Sequence, residues 1–552
     1  MIERNEHLQT RIEQSVRVPR IDRRTRCALS TTVLLVVVCV SGALADQALP
    51  IDLSGRAILR IECRQSNIFD TSDSSTSSWP YRWANALHVT TRESFIRSMV
   101  LFTEGDAWDP EVAAESARIL RSLDFLNPVF IEARAEAEGV VVSIRTHDQW
   151  TLEVGAKFGA QGSRTAYSFE FSEQNFLGWG RELTLEYEKD HERSTWTYIY
   201  SDPNLFGTRW RGRLLFADAS DGHREELLAE RPFFSLATPK AWGGEWKRWS
   251  QIEYLYGDGD RIAGGRRDFT LLHLWWGMRL PATEKTIRRL SMGFHRDDRE
   301  FSDWYWETSP APFRTPDNVT ISGPRLAFEQ LHDRYRVLTG FRGWSAQEDV
   351  AFGSNLKAGV TFSHPEFGGD IPRLVFDGSW GHRVQRNGWL LMGDIWTSGR
   401  LDDGSAANVV TGFQAAASQL GPRGWQMRLR VEDSIDLDRE NQLTLGADAG
   451  LRGWDPDTFD GTGRAVFNLQ WRTLLKEDFL NLVSVGIVLF ADAGKTWGAR
   501  VGPNTDGVRY DAGVGLLADM THIGLSNVLR LDVAWPDDGS GATVIVTTTA
   551  LF

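Results

Sequence analysis

The second part of the chain, residues 151–552, consists of segments of about ten residues in which large apolar and polar side chains alternate. In the clearest segment, Leu183, Leu185 and Tyr187 alternate with glutamates and a threonine. A period of two places the two sets on opposite faces of a β-strand. Glycine, aspartate, asparagine and proline separate the segments, and no convincing helical pattern occurs among them. This region is therefore predicted to be a long series of antiparallel strands.

Charged side chains occupy the polar face of these strands. Arg209, Arg211 and Arg213 alternate with large apolar residues, and the glutamate segment covers residues 182–188. We expect both segments to face one interior, one strand apart, and to form a ladder of opposite charges. A soluble sandwich would instead bury the aromatic face under a second sheet.

The tryptophans favour a membrane over a sandwich. Nineteen of the 23 tryptophans lie after residue 150, and tryptophan favours the boundaries between membrane and water. A membrane barrel turns its aromatic face to lipid and its charged face to a wet interior. At about 25 residues per strand and turn, residues 151–552 supply about sixteen strands. The predicted fold is mainly β, an antiparallel transmembrane β-barrel of about sixteen strands.

The first 45 residues are predicted to be a secretory signal peptide. A stretch containing Arg20, Arg23, Arg24 and Arg26 precedes an apolar run over residues 33–40, and a small-residue cleavage pattern follows at residues 43–45. The alternative is a membrane anchor, but eight apolar residues are too few to cross about 30 Å of hydrocarbon. Cleavage would leave Cys63 as the single cysteine and exclude an intramolecular disulfide.

Charge and motifs exclude several functional classes. The net charge is −13, and loss of residues 1–45, with seven basic and four acidic residues, makes it more negative; we therefore expect no nucleic-acid partner. Gly494-Lys495-Thr496 lacks the first glycine and the following helix of a phosphate loop. Paired metal-ligand spacings are absent from the sequence. We predict no cofactor, no metal and no enzymatic activity, although a hydrolase with residues scattered in sequence stays open.

Residues 52–150 have a different pattern. We predict a loop over residues 70–80, and Thr90 and Thr91 are candidate N-caps of a helix that reaches Val100. Asp109-Pro110 opens a second helix. The predicted strands cover residues 57–61, 127–133 and 139–146. The predicted order is strand, helix, helix, strand, strand.

This order, with Gly105-Asp106, Asp109 and residues 118–121, resembles a polypeptide-transport-associated (POTRA) domain. A small sheet with an open edge can bind an extended client chain through main-chain hydrogen bonds. We therefore expect residues 52–150 to form a POTRA-like periplasmic domain that captures clients, for which residues 57–68 are the expected contact. The alternative is a passive spacer beneath the barrel.

Three features of the second region resemble the BamA/TamA-like family of outer-membrane assembly proteins. The motif Leu451, Arg452, Gly453, Trp454 lies in a long polar loop between two strands, residues 490–494 resemble a family strand motif, and residues 529–536 resemble the penultimate strand. The resemblance implies that the loop folds into the barrel, where Arg452 pairs with Asp492 on the inner wall. It also implies that Phe552 ends a terminal recognition strand.

Two departures from the family pattern stand out. Leu451 and Trp454 replace the usual valine and phenylalanine or tyrosine, and one POTRA-like domain occurs where several are usual. Independently of the resemblance, an arginine inside a barrel is costly unless it is paired, and a two-pronged bond to a carboxylate fixes its orientation. The alternative for Arg452 is a solvated loop residue.

The resemblance implies a protein of the bacterial outer membrane, with its N-terminal domain in the periplasm, that inserts, assembles or translocates other proteins. The implied partners are unfolded outer-membrane or secreted clients, outer-membrane lipids, and accessory periplasmic, lipoprotein or inner-membrane proteins. The expected weak seam joins a first barrel strand over residues 150–159 to a last one over residues 543–552. The alternatives are a passive or ligand-selective channel, a structural surface protein, or an outer-membrane hydrolase.

Overall fold

The computed structural model describes residues 52–547, except 73–75, 162–163, 284–285, 308, 310–311, 333, 345–346, 481, 499 and 521–527. The predicted signal peptide, residues 1–45, and Phe552 lie outside the described residues.

The N-terminal part is a small α/β unit. Its elements are β1 (Ile58–Ser66), α1 (Trp79–Leu87), α2 (Glu93–Met99), α3 (Pro110–Arg121), β2 (Leu126–Glu136) and β3 (Gly139–Asp148). The sheet has the order β1-β3-β2, in which β1 is parallel and β2 antiparallel to β3. None of the helices that the structure describes is long and apolar enough to cross a membrane.

Helix α3 begins where its sequence predicts. The Asp109 side chain accepts a hydrogen bond from the Glu111 backbone N–H at 2.8 Å, and Pro110 occupies the first helical turn. Ala113, Ala117 and Leu120 form its buried face, which contributes to the core together with the apolar side chains of β3.

Helix α2 begins later than predicted. Its N-cap is Arg92, and neither Thr90 nor Thr91 caps it. The reason lies in a buried contact, because the Thr91 backbone N–H and hydroxyl both donate to the Asp148 carboxylate, at 2.6 and 3.0 Å. The threonine side chain therefore serves tertiary packing and not the helix end.

Helix α1 is an addition to the predicted order, which becomes strand, three helices, two strands. The loop predicted over residues 70–80 ends earlier, because α1 begins at Trp79 with Pro80 in its first turn. Nine residues are too few for the apolar spacing to distinguish a helix from a loop.

The rest of the chain forms a large antiparallel sheet of neighbours in sequence order. Its strands are β4 (Leu152–Gln161), β5 (Arg164–Glu173), β6 (Glu182–Lys189), β7 (Ser194–Leu205), β8 (Trp210–Ala219), β9 (Gly222–Arg231), β10 (Lys240–Gly257), β11 (Asp260–Leu280), β12 (Thr286–Trp306), β13 (Val319–His332), β16 (Gly353–Ser363), β17 (Arg373–Arg386), β18 (Trp389–Asp402), β19 (Ser405–Gln419), β20 (Arg423–Ile435), β21 (Gly463–Phe479), β22 (Val483–Trp497), β23 (Arg509–Met520), β24 (Val528–Pro536) and β25 (Thr543–Thr547). A separate hairpin, β14 (Tyr335–Leu338) and β15 (Glu348–Ala351), lies between β13 and β16. Three short 3-10 helices cover Phe176–Gly178, Pro365–Phe367 and Ala447–Ala449.

The predicted count of about sixteen strands is wrong, because the described residues form twenty strands in this sheet. The estimate of residues per strand assumed longer connections. Several connections have two residues, such as residues 258–259 and 403–404. The order of neighbours is circular, and β4 and β25 share one residue pair among the described residues, Gln161 with Ile545.

The alternation of side chains confirms the predicted two-faced strands. In β24, Leu529, Leu531 and Trp535 are exposed, whereas Arg530 and Asp532 are buried. Strand β21 repeats the pattern, with Asn468, Gln470 and Arg472 buried and Phe467 exposed. The apolar face is turned outward and the polar face inward.

The predicted charge ladder has different partners. Among the ion pairs of the described residues, the arginines of β8 do not reach across β7 to the glutamates of β6. They pair instead with the next strand, β9. Arg211 pairs with Glu230, and Arg213 lies 3.5 Å from Glu226. Directly adjacent strands bring charged groups closer than strands separated by a third one.

The N-terminal unit contacts several connections at one end of the large sheet. The Arg92 backbone N–H donates to the Gly178 carbonyl at 2.9 Å, and the Asn204 side chain donates to the Ser98 hydroxyl at 2.6 Å. The Leu236 backbone N–H donates to the α3 residue Glu115 at 3.0 Å. The unit is therefore positioned by direct contacts with that end of the sheet.

The outward face provides a test of its solvent. Leu489 lies near the middle of β22 and is 49% exposed, whereas Leu59, on β1 of the N-terminal unit, is 41% exposed. If the outward face meets lipid, Leu489→Arg should destabilise the protein in vesicles by about 2–4 kcal/mol, and Leu59→Arg should change stability by about 0.5 kcal/mol or less. Urea unfolding from lipid vesicles measures both, and equal small effects would contradict a lipid-facing surface.

Candidate functional site

The connection between β20 and β21, residues 436–462, folds over the inner face of the sheet; we call it the interior loop. Its apolar side chains form a small core of their own, made of Leu445, Leu451, Trp454 and Phe459, with Val466 of β21. Leu445 and Phe459 exchange backbone hydrogen bonds of 2.8 and 3.0 Å, and the Trp454 and Phe459 rings lie 4.9 Å apart. The two residues that depart from the family motif, Leu451 and Trp454, thus fill the core of the loop.

Arg452 projects from this loop against the sheet wall. Its Nε and Nη2 donate to the two carboxylate oxygens of Asp492 on β22, at 2.6 and 2.8 Å. Its Nη1 lies 3.4 Å from Asp532 on β24, and its guanidinium lies 3.6 Å from the centre of the Phe490 ring. One side chain therefore joins the loop to two strands through charge and to an aromatic face.

Neighbouring polar groups complete this network. The Asn468 amide donates to Asp492 at 2.7 Å and to the Gly450 carbonyl at 2.6 Å. Arg530 Nε donates to Asp532 at 2.6 Å, and its Nη1 donates to Gln470 at 3.0 Å. Since Arg452, Asp492, Arg530 and Asp532 are all buried, removal of one partner would leave another charge without compensation.

Gly453 allows the loop to approach the wall closely. A Cβ atom at this position would lie 2.5 Å from Asp511 Cβ and 3.0 Å from the Pro536 backbone nitrogen. The Gly453 carbonyl accepts a hydrogen bond from the Thr543 hydroxyl at 2.8 Å, at the start of β25. The motif therefore contacts the wall at β22 and β24. It also contacts β25, which forms the seam with β4.

A second attachment holds the outer part of the interior loop. Asp460 is fully buried, and one of its carboxylate oxygens accepts three backbone hydrogen bonds from Arg500, Val501 and Gly502, at 2.8, 2.8 and 3.0 Å. These residues belong to the connection between β22 and β23. The sequence interpretation missed Asp460, because a carboxylate bound by distant backbone groups leaves no local motif.

The interior also receives a segment from the opposite end of the sheet. Residues 334–352, which include β14 and β15, form what we call the inner hairpin. Arg472 of β21 donates to the carbonyls of Gly340, Phe341 and Arg342 at 2.6–2.8 Å. The Trp344 backbone N–H donates to Asp519 at 2.6 Å.

A buried apolar cluster lies between the inner hairpin and the arginine of the interior loop. The Trp344 side chain packs against a buried cluster of Val488, Phe490, Leu517, Val528 and Ala534. The Arg452 guanidinium contacts the ring of the same Phe490. The inner hairpin and the interior loop therefore contact the same buried cluster, the hairpin through Trp344 and the loop through Arg452 on Phe490.

The inner hairpin is bound to the N-terminal unit as well. Arg121 at the end of α3 makes a two-pronged ion pair with Asp349, at 2.7 and 2.9 Å. The Asn127 amide donates to the Gln347 carbonyl at 3.1 Å, and the Arg118 guanidinium lies 4.7 Å from the centre of the Tyr335 ring. A continuous series of contacts thus leads from α3 to Arg452.

Sequence reasoning identified part of this site. The structure brings Leu451, Arg452, Gly453 and Asp492 together, whereas Phe552 lies outside the described residues. Arg530 and Asp532 were within the recognised penultimate-strand segment, and their alternation with apolar neighbours was the signal that could have identified them. Among the described residues, no group of three or more His, Cys, Asp or Glu side chains could hold a metal ion.

One curated protein resembles part of this chain. The outer membrane protein assembly factor BamA of Neorickettsia risticii (strain Illinois) is 26% identical over 138 residues, which are 24% of this chain and 19% of the relative. The match thus spans about a fifth of the curated relative's length. It confirms the resemblance to the BamA/TamA-like outer-membrane family. No family model matches the chain.

Two solved structures match most of the chain, but with low similarity. BamA from Haemophilus ducreyi lacking POTRA domains 1–3 has a TM-score of 0.37 and 13% identity, covering 88% of this chain and 83% of that one. CdiB from Escherichia coli has a TM-score of 0.42 and 11% identity, covering 96% of this chain and 99% of that one. With TM-scores this low, these likenesses carry no argument about function.

Gly453 offers a test of the close contact at the wall. Gly453→Ala should displace the interior loop and destabilise it by about 1–3 kcal/mol, because the added methyl group overlaps Asp511. The matched control is Gly393→Ala, where a Cβ would meet nothing within 4 Å. Limited proteolysis of the folded protein should cut residues 436–462 faster in the Gly453 variant alone. Equal cleavage of both variants would contradict a close contact between this motif and the wall.

Proposed function

We propose that this chain is an outer-membrane β-barrel protein that inserts, assembles or translocates other proteins. In this proposal residues 1–45 are a cleaved signal peptide, residues 52–150 are a POTRA-like domain in the periplasm, and residues 151–552 form the barrel. The observation that carries the proposal is the buried Arg452–Asp492 ion pair. It ties the interior loop to β22, and the same arginine lies near Asp532 on β24, which pairs with the last strand, β25.

A membrane location is supported by the apolar face of the sheet. Phe171, Leu185, Tyr198 and Phe216 are exposed and lie directly opposite one another across four neighbouring strands. In water such a continuous apolar surface would promote association. In a bilayer it is the surface that contacts lipid, while the charged face lines the interior.

The seam between β4 and β25 is the proposed place where the barrel opens. These are the first and last strands of the sheet, and they meet where Gln161 pairs with Ile545. Strand edges with few partners can accept another strand through main-chain hydrogen bonds. An opened seam would offer such edges to a client strand at the level of the membrane.

Client capture is better placed at β2 than at the predicted residues 57–68. Residues next to β1 already cover its first half, because Ile58 and residues 105–106 exchange backbone hydrogen bonds of 2.8 Å and Glu104 accepts from the Ile61 N–H at 3.0 Å. The first half of β1 is therefore not open to a client chain. The outer edge of β2 has no backbone partner over residues 130–136 in the part of the chain that the structure describes, and we propose that an extended client binds there.

The proposed mechanism couples capture to opening. A client that pulls or tilts the N-terminal domain would strain the Arg121–Asp349 pair and move the inner hairpin. The hairpin would shift Trp344 against the cluster that contains Phe490 and weaken the contact of Arg452 with the Phe490 ring. Release of Arg452 and Gly453 would free the strands beside the seam, and no cofactor or nucleotide is required.

Arg452→Ala should separate an assembly factor from a passive channel. Because it removes the cation that compensates Asp492, we expect a several-fold loss of other outer-membrane proteins in cells that depend on the variant. Quantitative mass spectrometry of outer membranes measures this loss. Ion conductance of the purified protein in planar bilayers should remain if the protein is simply a pore.

The abundance of the variant itself is the control for the Arg452 experiment. Client loss is compared at equal amounts of folded protein, adjusted by expression. Normal levels of all other outer-membrane proteins after depletion of the unmodified protein would contradict the assembly function. The channel would then be the remaining alternative.

The contact between α3 and the inner hairpin gives a second functional test. Arg121→Asp should repel Asp349 and reduce client insertion, and the double variant Arg121→Asp with Asp349→Arg should restore a large part of it, because the exchanged charges can pair again. Insertion of a labelled client into proteoliposomes measures both. No rescue by the double variant would contradict coupling through this pair.

A further inference from the structure

Helix α1 presents an aromatic face that the N-terminal domain does not use. Trp79 and Trp83 are 72% and 60% exposed, and Leu87 is also exposed. Residues four apart lie on the same side of a helix, so these three side chains form one stripe. The helix contains no acidic residue and one basic residue, Arg82.

The opposite side of α1 is held firmly by the domain. The Tyr81 ring meets the Phe69 ring edge-on at 4.9 Å. The Asn85 side chain accepts from the Phe69 backbone N–H at 3.1 Å and donates to its carbonyl at 2.8 Å. Because the helix is fixed by these contacts, the tryptophans are turned away from the domain and cannot be covered by a simple rotation.

The position of α1 relative to the large sheet indicates what covers this stripe. The Tyr81 hydroxyl donates to the Leu480 carbonyl at 2.6 Å, in the turn between β21 and β22. Leu475, Phe479 and Leu482 around this turn are exposed, as is Leu480. Helix α1 therefore lies at the rim where the outward apolar face of the sheet begins.

We propose that helix α1 lies in the interface of the periplasmic leaflet and inserts Trp79, Trp83 and Leu87 among the phospholipids. The inference rests on the proposed barrel in the outer membrane. Tryptophan has an apolar ring and a polar N–H group, which suits the boundary between acyl chains and headgroups. A short helix with an apolar stripe and no acidic residue can lie in that plane, and Arg82 is available to a lipid phosphate.

The membrane contact would fix the N-terminal domain beneath the barrel. Connections of the sheet already contact this domain, and α1 adds an attachment outside the sheet. Through it the orientation of the β2 edge would depend on the bilayer, so that an extended client bound at β2 is presented toward the membrane.

The test uses the full chain with its three cysteines replaced by serine and reconstituted in phosphatidylglycerol and phosphatidylethanolamine vesicles. A fluorescent probe is attached to Trp83→Cys, to Leu482→Cys in the rim turn, or to Phe130→Cys on β2. Leu482 and Phe130 are 44% and 45% exposed, which makes them matched positions. Quenching by lipids that carry nitroxide groups in the acyl chains reports membrane contact.

We expect the probes at positions 83 and 482 to be quenched several-fold more strongly than the probe at 130. If the probe at 482 is quenched and the probe at 83 is no more quenched than the one at 130, the membrane contact of α1 is refuted and the barrel stands. If the probe at 482 is also unquenched, the membrane barrel itself is refuted. A probe at 83 shielded from water but not quenched by lipid indicates a protein partner and also overturns the proposal.

Discussion

The structure depends on the requirement that a charge removed from water must be paired. Arg452 is carried into the interior by a loop whose own core, Leu451 and Trp454 included, leaves the arginine facing the wall. It finds two carboxylate oxygens of Asp492 within hydrogen-bonding distance. A displaced loop would leave Asp492 buried beside fewer cations, so the ion pair makes one position of the loop more stable than its neighbours. The ion pair is stable when both groups are in place, and a partly separated pair is costly. It therefore favours a loop that is either fully bound to the wall or fully released.

The same strands provide the interior network and the outward surface. In β24, Arg530 and Asp532 join the ion-pair network, while Leu529 and Leu531 point the other way. A shift of one residue in the pairing would exchange these faces, place charges on the apolar side and break the network. The polar interior therefore also fixes the register of the strands whose outer face meets the proposed membrane. This links the stability of the sheet to the integrity of the site.

The sequence predicted those features that depend on local pattern. The alternation of apolar and polar residues along the strands, the cap of α3 at Asp109, and the strands β2 and β3 follow from spacing that one segment contains. The contact of Arg452 with Asp492 was implied by a family resemblance, since forty residues separate them and no spacing rule joins them. The inner hairpin, the cover over β1 and the role of Phe490 depend on which segments meet in space. The number of strands was underestimated because connection lengths vary more than an average allows, and α1 was missed because it is short.

The central proposal is that the interior network holds the seam between β4 and β25 closed until a client arrives. The most direct measurement is client insertion by a protein whose seam is locked by a disulfide between Gln161→Cys and Ile545→Cys, the residues paired across it. This account predicts that the oxidised protein stays folded and loses insertion, and that a reductant restores it. Undiminished client insertion by a fully cross-linked protein would contradict the account.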